Sequence, residues 1–121
     1  MKYLLDSNII IYHLNGDEVA TEFILKNIDF SAISRITYIE VLSYDFADNE
    51  KRTAVIELLE SFDIIDTNKA IAVQCLKNRK IRTIKVPDNI IAATAQVNDY
   101  ILVTQNIDDF KGLDIQIKTI L

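Results

Sequence analysis

The chain is poor in the residues that build stapled, tightly turned or membrane-bound structures. It has one cysteine, Cys75, so no internal disulfide can form, and a reducing compartment with Cys75 as a small core residue is expected. It has two glycines and one proline, Pro87, too few for a sandwich or barrel rich in tight turns or for a disordered linker. Its only histidine is His13, which reads as a surface residue of the first helix, and a lone histidine builds neither a zinc site nor a histidine relay. No apolar run approaches the length of a bilayer span. The start, Met1-Lys2-Tyr3, lacks the cationic and apolar regions of a secretion signal, so a cytoplasmic protein with no membrane partner is expected. The net charge of −5 leaves no general basic face for nucleic acid. It does not exclude a nuclease whose acids hold metal ions, because there the metal meets the phosphate.

What is present is half hydrophobic, in a chain of 121 residues, and predicts one folded domain over 1–121. Tyr3 to Leu5 reads as a strand that stops at Asp6. A short helix follows from Ser7 to Leu14, with Ser7 or Asn8 as its cap. Further helices are predicted at Glu18 to Lys26, Ile36 to Phe46, Glu50 to Phe62, Lys69 to about Arg79 (capped by Thr67-Asn68) and Ile90 to Val97. Pro87 must begin a new element. Strands are predicted at Phe30 to Ile33, Asp63 to Asp66, Tyr100 to Val103 and, at an edge, Ile115 to Ile120. Short strands alternating with helices define an α/β fold with a parallel sheet covered on both faces.

Asp6 and Asp109 follow strands, Asp88 opens the Ala-rich helix, and Glu40 lies among the apolar residues Ile39, Val41 and Leu42. Each has an ordinary structural reading. Asp6 and Asp88 are possible N-caps, Glu40 ends a Thr37-x-x-Glu40 capping box, and Asp109 is a solvated loop acid. Read together, they converge on the carboxyl edge of a parallel sheet, where such sheets keep their ligands. Carboxylates packed together repel, and the cluster persists with a cation. Oxygen-only ligands select Mg²⁺, or Mn²⁺, and that chemistry serves phosphodiester hydrolysis.

The stretches LLDSNIII, ITYIEVL, KVPDNIIAATA and LVTQNIDDF, in that order, resemble PIN-domain ribonucleases, and more narrowly the VapC-type toxins of bacterial and archaeal toxin–antitoxin modules. The resemblance covers essentially the whole chain. It implies a PIN-like three-layer α/β/α domain with a short five-stranded parallel sheet. It also implies Mg²⁺- or Mn²⁺-dependent endonucleolytic cleavage of RNA, a homodimer, and a cognate antitoxin protein in the active-site groove. Carried onto this sequence, the catalytic and metal-holding acids are Asp6, Glu40, Asp88 and Asp109. Asn8, Thr37, Thr104 and Asn106 complete the pocket, and Asn106 and Asp108 stand as alternatives to Asp109.

The basic run Lys77, Arg79, Lys80, Arg82, Lys85 reads either as a solvated face or as a guide for phosphate toward Asp88; Arg79, Lys80, Arg82 and Lys85 are the candidates. Arg35 is an exposed charge or orients a carboxylate. Tyr12, Phe23, Leu42, Tyr44 and Phe46 are core, or in part an antitoxin groove. Two competing functions remain. One is a catalytically silent PIN-like binding module, separable by cleavage assay. The other is a signalling receiver with Asp66 as phosphoacceptor, but Asp6 lacks the acidic neighbour a receiver requires, and no predicted strand ends on a suitable lysine before the C-terminal Leu121.

Overall fold

The computed structural model describes residues 2–121. Its elements run β1 (Tyr3–Leu5), α1 (Ser7–Leu14), α2 (Glu18–Asn27), β2 (Ser31–Ser34), α3 (Arg35–Leu42), α4 (Asn49–Glu60), β3 (Asp63–Ile65), α5 (Lys69–Ile81), α6 (Val86–Asn98), β4 (Ile101–Val103) and β5 (Ile117–Lys118). Single 3-10 turns occupy Ile28–Phe30 and Ile107–Phe110. The five strands form one parallel sheet in the order β3-β2-β1-β4-β5. The expected α/β architecture, three layers around a short parallel sheet, is therefore present.

Alternation along the strands sorts the two faces. Leu5, Ile33 and Val103 turn to one side, where Ile9 and Ile10 of α1, Ile24 of α2, Val41 of α3, and Val55 and Leu59 of α4 cover them. Leu4, Ala32 and Leu102 turn to the other, against Ile91, Ala92 and Ala95 of α6, with Phe110 and Leu113. Small side chains on α6 let it lie close to the sheet. The Ala-rich run is buried from Ile91 to Ala95, as its apolar composition implies.

The strand order reverses at β1. From there the chain builds outward to β2 and β3, then returns to lay β4 on the other side. The carboxyl ends of β1 and β4 thus frame a topological switch point, the usual ligand crevice of an open α/β sheet.

Local chemistry explains most boundaries and corrects several expectations. The cap of α1 is Asp6, not Ser7 or Asn8: its carboxylate accepts from the Ser7 amide at 2.7 Å. Ser34 caps α3, which excludes the Thr37–Glu40 capping box, because Thr37 is already inside the helix and buried. This helix stops at Leu42 rather than Phe46; Ser43 turns its hydroxyl back onto the Ile39 carbonyl at 2.6 Å, and the chain leaves as a loop. Pro87 does open a new element, but α6 starts at Val86, with proline in its first turn, where the absent N–H is harmless. Asp88 is therefore a first-turn residue and not the cap. Helix α5 continues to Ile81, and the fifth strand shrinks to two paired residues at the edge. His13 is half-buried, its Nδ1 2.7 Å from Thr21 Oγ1. Cys75 is free and half-buried, and burial pushes its thiol pKa up.

A buried amide network joins α5 to α6. Asn78 is fully buried; its Nδ2 donates to Asn89 Oδ1 at 3.0 Å and to Gln96 Oε1 at 2.8 Å, and its Oδ1 accepts from Gln74 at 3.1 Å. Asn89 in turn donates to the Cys75 carbonyl at 2.9 Å. Asn78→Ala removes one member and leaves three polar groups without partners. The expected loss is about 3 kcal/mol, read from the urea unfolding midpoint; a loss below about 1 kcal/mol would mean that water substitutes for the amide.

Candidate active site

The site is built where β1 and β4 end side by side. The Asp6 amide donates to the Val103 carbonyl at 2.9 Å, which extends the β1–β4 ladder and turns the Asp6 side chain into the crevice. Thr104, fully buried, donates its hydroxyl to Asp6 Oδ2 at 2.7 Å. The same Thr104 oxygen accepts from Asn8 Nδ2 at 3.3 Å and from the Asn106 amide at 3.1 Å. Both Asp6 oxygens are thus fixed, one by Thr104 and one by the Ser7 amide.

Glu40 enters from α3. Its Oε1 accepts the Ser7 hydroxyl at 2.6 Å, and Ser7 Oγ lies 3.1 Å from Thr37 Oγ1. One hydroxyl therefore ties α1 to α3 across 33 residues of sequence. From the sequence Ser7 is no more than a possible cap. Its short-range signal, a hydroxyl after an acid at a helix start, says nothing about a distant glutamate.

Asp6 is 6% exposed, and burial pushes its pKa up to about 6. The hydrogen bonds from Thr104 and Ser7 pull it down, and the charges of Asp88 and Glu40 push it up. Asp88 is also raised, first by burial and then by Asp109 and Glu40, with Lys85 opposing. The rise occurs although a helix N-terminus favours the charged form. The four sequence-predicted acids thus share one electrostatic neighbourhood: Asp6 feels Asp88 and Glu40, and Asp88 feels Glu40 and Asp109. Asp109 sits exposed on the Ile107–Phe110 turn, with Asn106 and Asp108 exposed beside it.

Among the described residues, no three histidine, cysteine or acidic side chains close into a ready metal cage. The donor set is nonetheless of the right kind, hard carboxylate oxygens that repel one another. Asn8 adds an unusual acceptor. Its Nδ2 faces Thr104, which gives its own proton to Asp6, so Asn8 Oδ1 is buried with no partner among the described residues. A pocket of acids with an orphaned amide oxygen fits a hard divalent cation.

The basic run divides. Arg79 and Lys80 are exposed in the last turn of α5, and Lys85 stands near enough to Asp88 to oppose its rise. Arg82 is tied down: its Nη1 donates to the backbone carbonyls of Asp108 at 3.0 Å and Lys111 at 2.8 Å. Arg35 pairs with Asp66 at 2.6 Å and lies over the Tyr38 ring, on the β3 side. That pairing engages the carboxylate a receiver would need, although β5, shorter than predicted, does end on a lysine, Lys118. Of the apolar residues considered for a groove, Phe23, Leu42 and Phe46 pack on the core, while Tyr44 is 57% exposed. A groove of about 350 Å³ beside the acids is lined by Ser7, Ile11, Ile39, Glu40, Ser43 and Tyr44.

An acid-lined crevice at the switch point of a five-stranded parallel sheet defines a class of α/β proteins suited to hard cations. The family model named PIN domain matches residues 3–115, and the chain belongs to that family. A toxin–antitoxin complex from Klebsiella pneumoniae contains a chain 30% identical, with 99% of this chain and 98% of that one covered and a TM-score of 0.85. VapBC-1 from nontypeable Haemophilus influenzae is similar at 25% identity, with 98% of each chain covered and a TM-score of 0.77. The DNA-bound VapBC from Salmonella typhimurium shares the fold at 24% identity and a TM-score of 0.85, with 100% and 99% covered. A comparison with curated proteins finds no significant match. The resemblance read from the sequence, to a PIN-domain protein of the VapC toxin type, is borne out. Among the described residues no helix is long and apolar enough to cross a membrane.

Proposed function

We propose that the protein is a Mg²⁺-dependent endoribonuclease, with Mn²⁺ as a substitute, and the toxin of a toxin–antitoxin pair. The observation that carries the reading is the convergence of Asp6 and Glu40 on Ser7 at the switch point, with Asp88 and Asp109 within reach of their charge. Asp6, Glu40 and Asp88 would hold the ion, with Asp109 next to Asp88 and Asn8 Oδ1 as a further oxygen donor. When bound, such an ion neutralises charge on the phosphoryl oxygens and lowers the pKa of the attacking water. Thr104 keeps Asp6 in one orientation. Ser7 anchors Glu40 Oε1 and leaves Oε2 for the ion, while a carboxylate of the cluster orients the attacking water and takes its proton. Water oxygen bonds to phosphorus as the P–O3′ bond breaks, and O3′ takes a proton from solvent, leaving a 5′-phosphate and a 3′-hydroxyl; no 2′-hydroxyl takes part. Arg79, Lys80 and Lys85 would draw the RNA backbone toward Asp88 and offset the chain's net negative charge.

The groove at Ile11, Ile39 and Tyr44 opens beside Glu40, and an antitoxin protein is the proposed occupant. The similar structures of a toxin–antitoxin complex and of VapBC-1 support that partner. The exposed Val73 and Leu76 of α5 offer an apolar face for a second copy in a homodimer.

One observation favours a catalytically silent binding module instead: among the described residues no three acids close into a cage. Cleavage assays decide. Purified protein incubated with end-labelled transfer and messenger RNAs is expected to cut them with Mg²⁺, to stop with chelator, and to resume when Mg²⁺ is restored in excess. Cutting that ignores chelator, or ends that carry a cyclic phosphate, would overturn the mechanism. No cutting of any RNA with either ion would favour the silent module.

A further inference from the structure

Arg82 lies in the link between α5 and α6, three residues before Lys85 and six before Asp88. Its Nη1 carries two hydrogens, and the two carbonyls they meet, Asp108 and Lys111, bracket Asp109 and Phe110. Its Nε donates to the Thr83 carbonyl at 3.3 Å, which orients the guanidinium from its own side of the gap. The turn it holds is short. The remaining backbone bonds across it, Asp109 to Asn106, Lys111 to Asp108 and Leu113 to Phe110, are all local. Phe110 is buried in the α6-side core and pins the turn from beneath. Phe110 holds the turn on α6, but none of these local backbone bonds ties the turn to the α5–α6 link that leads to Asp88. Hydrogen bonds from a charged donor to a neutral carbonyl are among the stronger ones, and two from one nitrogen restrain the turn's rotation as well as its distance.

We infer that Arg82 is a positioning residue that clamps the Ile107–Phe110 turn against the α5–α6 link and so keeps Asp109 facing Asp88, and that it does not contact substrate phosphate. The inference rests on the proposed ion site for its consequence, but the clamp itself does not. With Nη1 on two carbonyls of the turn and Nε on the Thr83 carbonyl, Arg82 acts on the site through Asp109. Lysine at this position keeps the charge but lacks the Nε donor that Thr83 orients, and restores the clamp only in part.

Three readouts on the full chain separate the outcomes. The first is amide hydrogen exchange over residues 106–113. Arg82→Ala is expected to speed it by about tenfold or more, while the exchange of α6 stays as in the unmutated protein. The second is Mn²⁺ binding, followed by the electron paramagnetic resonance of the free ion. Arg82→Ala is expected to weaken it by about tenfold, as does Asp109→Ala, and the double variant by no more than either alone. The third is the salt dependence of single-stranded RNA binding in chelator. A clamp leaves the slope unchanged, whereas loss of a phosphate contact lowers it by about one. Unchanged exchange in 106–113, or a slope lowered by about one, overturns the inference. If the unmutated protein binds no Mn²⁺, the ion site fails by itself, and the exchange result still decides the clamp. Lys80→Ala, at an exposed position on the same basic run, is the comparison that keeps the exchange of 106–113 intact.

Discussion

Asp6→Asn is expected to make the ion-free protein more stable at pH 7.5 while lowering RNA cleavage by at least about 10²-fold. The two effects have opposite signs because they have one cause. Asp6 is held 6% exposed, with its pKa pushed up to about 6 from an ordinary 3.8. A raised carboxylate pKa means that the charged form is disfavoured in the fold. At neutral pH the charge costs about 3 kcal/mol of folding stability, since each tenfold change in proton affinity is worth about 1.4 kcal/mol. Asparagine removes that cost. It also puts an amide where one carboxylate oxygen accepted a bond, and Thr104 already receives donors from Asn8 and Asn106. Losing that bond returns about 1 kcal/mol, so the net gain is about 2 kcal/mol. Urea unfolding in chelator measures it. Below pH 4 the native carboxyl is protonated in the unmutated protein too, so the gain should vanish there. A variant that is less stable at pH 7.5, or equally active, would remove Asp6 from the role assigned to it.

That cost also explains which parts of the molecule are legible in the sequence. The switch from a short apolar run to a helical pattern is marked by an acid, Asp6, and both flanking elements, Tyr3–Leu5 and Ser7–Leu14, have the bounds that their patterns imply. The four acids are legible as a set because each falls at an element end or on a mostly apolar helix, where a charge is out of place. Their partners are not legible. Ser7 meets Glu40 and Arg82 meets Asp108 through tertiary geometry, and a hydroxyl or a guanidinium carries no local mark of which distant group it will find. Asn78 sits between Lys77 and Arg79 in a run that reads as solvated, yet it is the fully buried centre of the α5–α6 network. The C-terminal end of α3 falls short of the predicted one because Tyr44 and Phe46 continue an apolar pattern; Phe46 packs on the core from a loop, which periodicity does not distinguish from a helix.

Without divalent ions, the folded protein is expected to gain stability as the pH falls from 8 to about 5, and Mg²⁺ is expected to erase that trend. Asp6 binds its proton in the native state near pH 6 and in the unfolded chain near 3.8, and Asp88 is shifted in the same direction. Between those values the native state holds more protons than the unfolded one, so stability falls as pH rises through 6 and levels off above it. Only below about pH 4 does an opposing group enter: Asp66, held down by its bond to Arg35, lies exposed and acts outside this window. An ion that needs the deprotonated carboxylates competes with those protons. At a hundred times its dissociation constant it adds about 2.7 kcal/mol, and that gain is available in full only where the acids are charged. One proton of pKa about 6 weakens the ion about tenfold at pH 5, so the thermal midpoint with Mg²⁺ minus that with chelator should be about half as large at pH 5 as above pH 7. In Asp6→Asn the same difference should be small at every pH. Scanning calorimetry across pH 5 to 8 tests both halves. A Mg²⁺ effect of equal size at pH 5 and pH 8 would mean that the ion binds elsewhere, away from the acids that β1, α3 and α6 bring together.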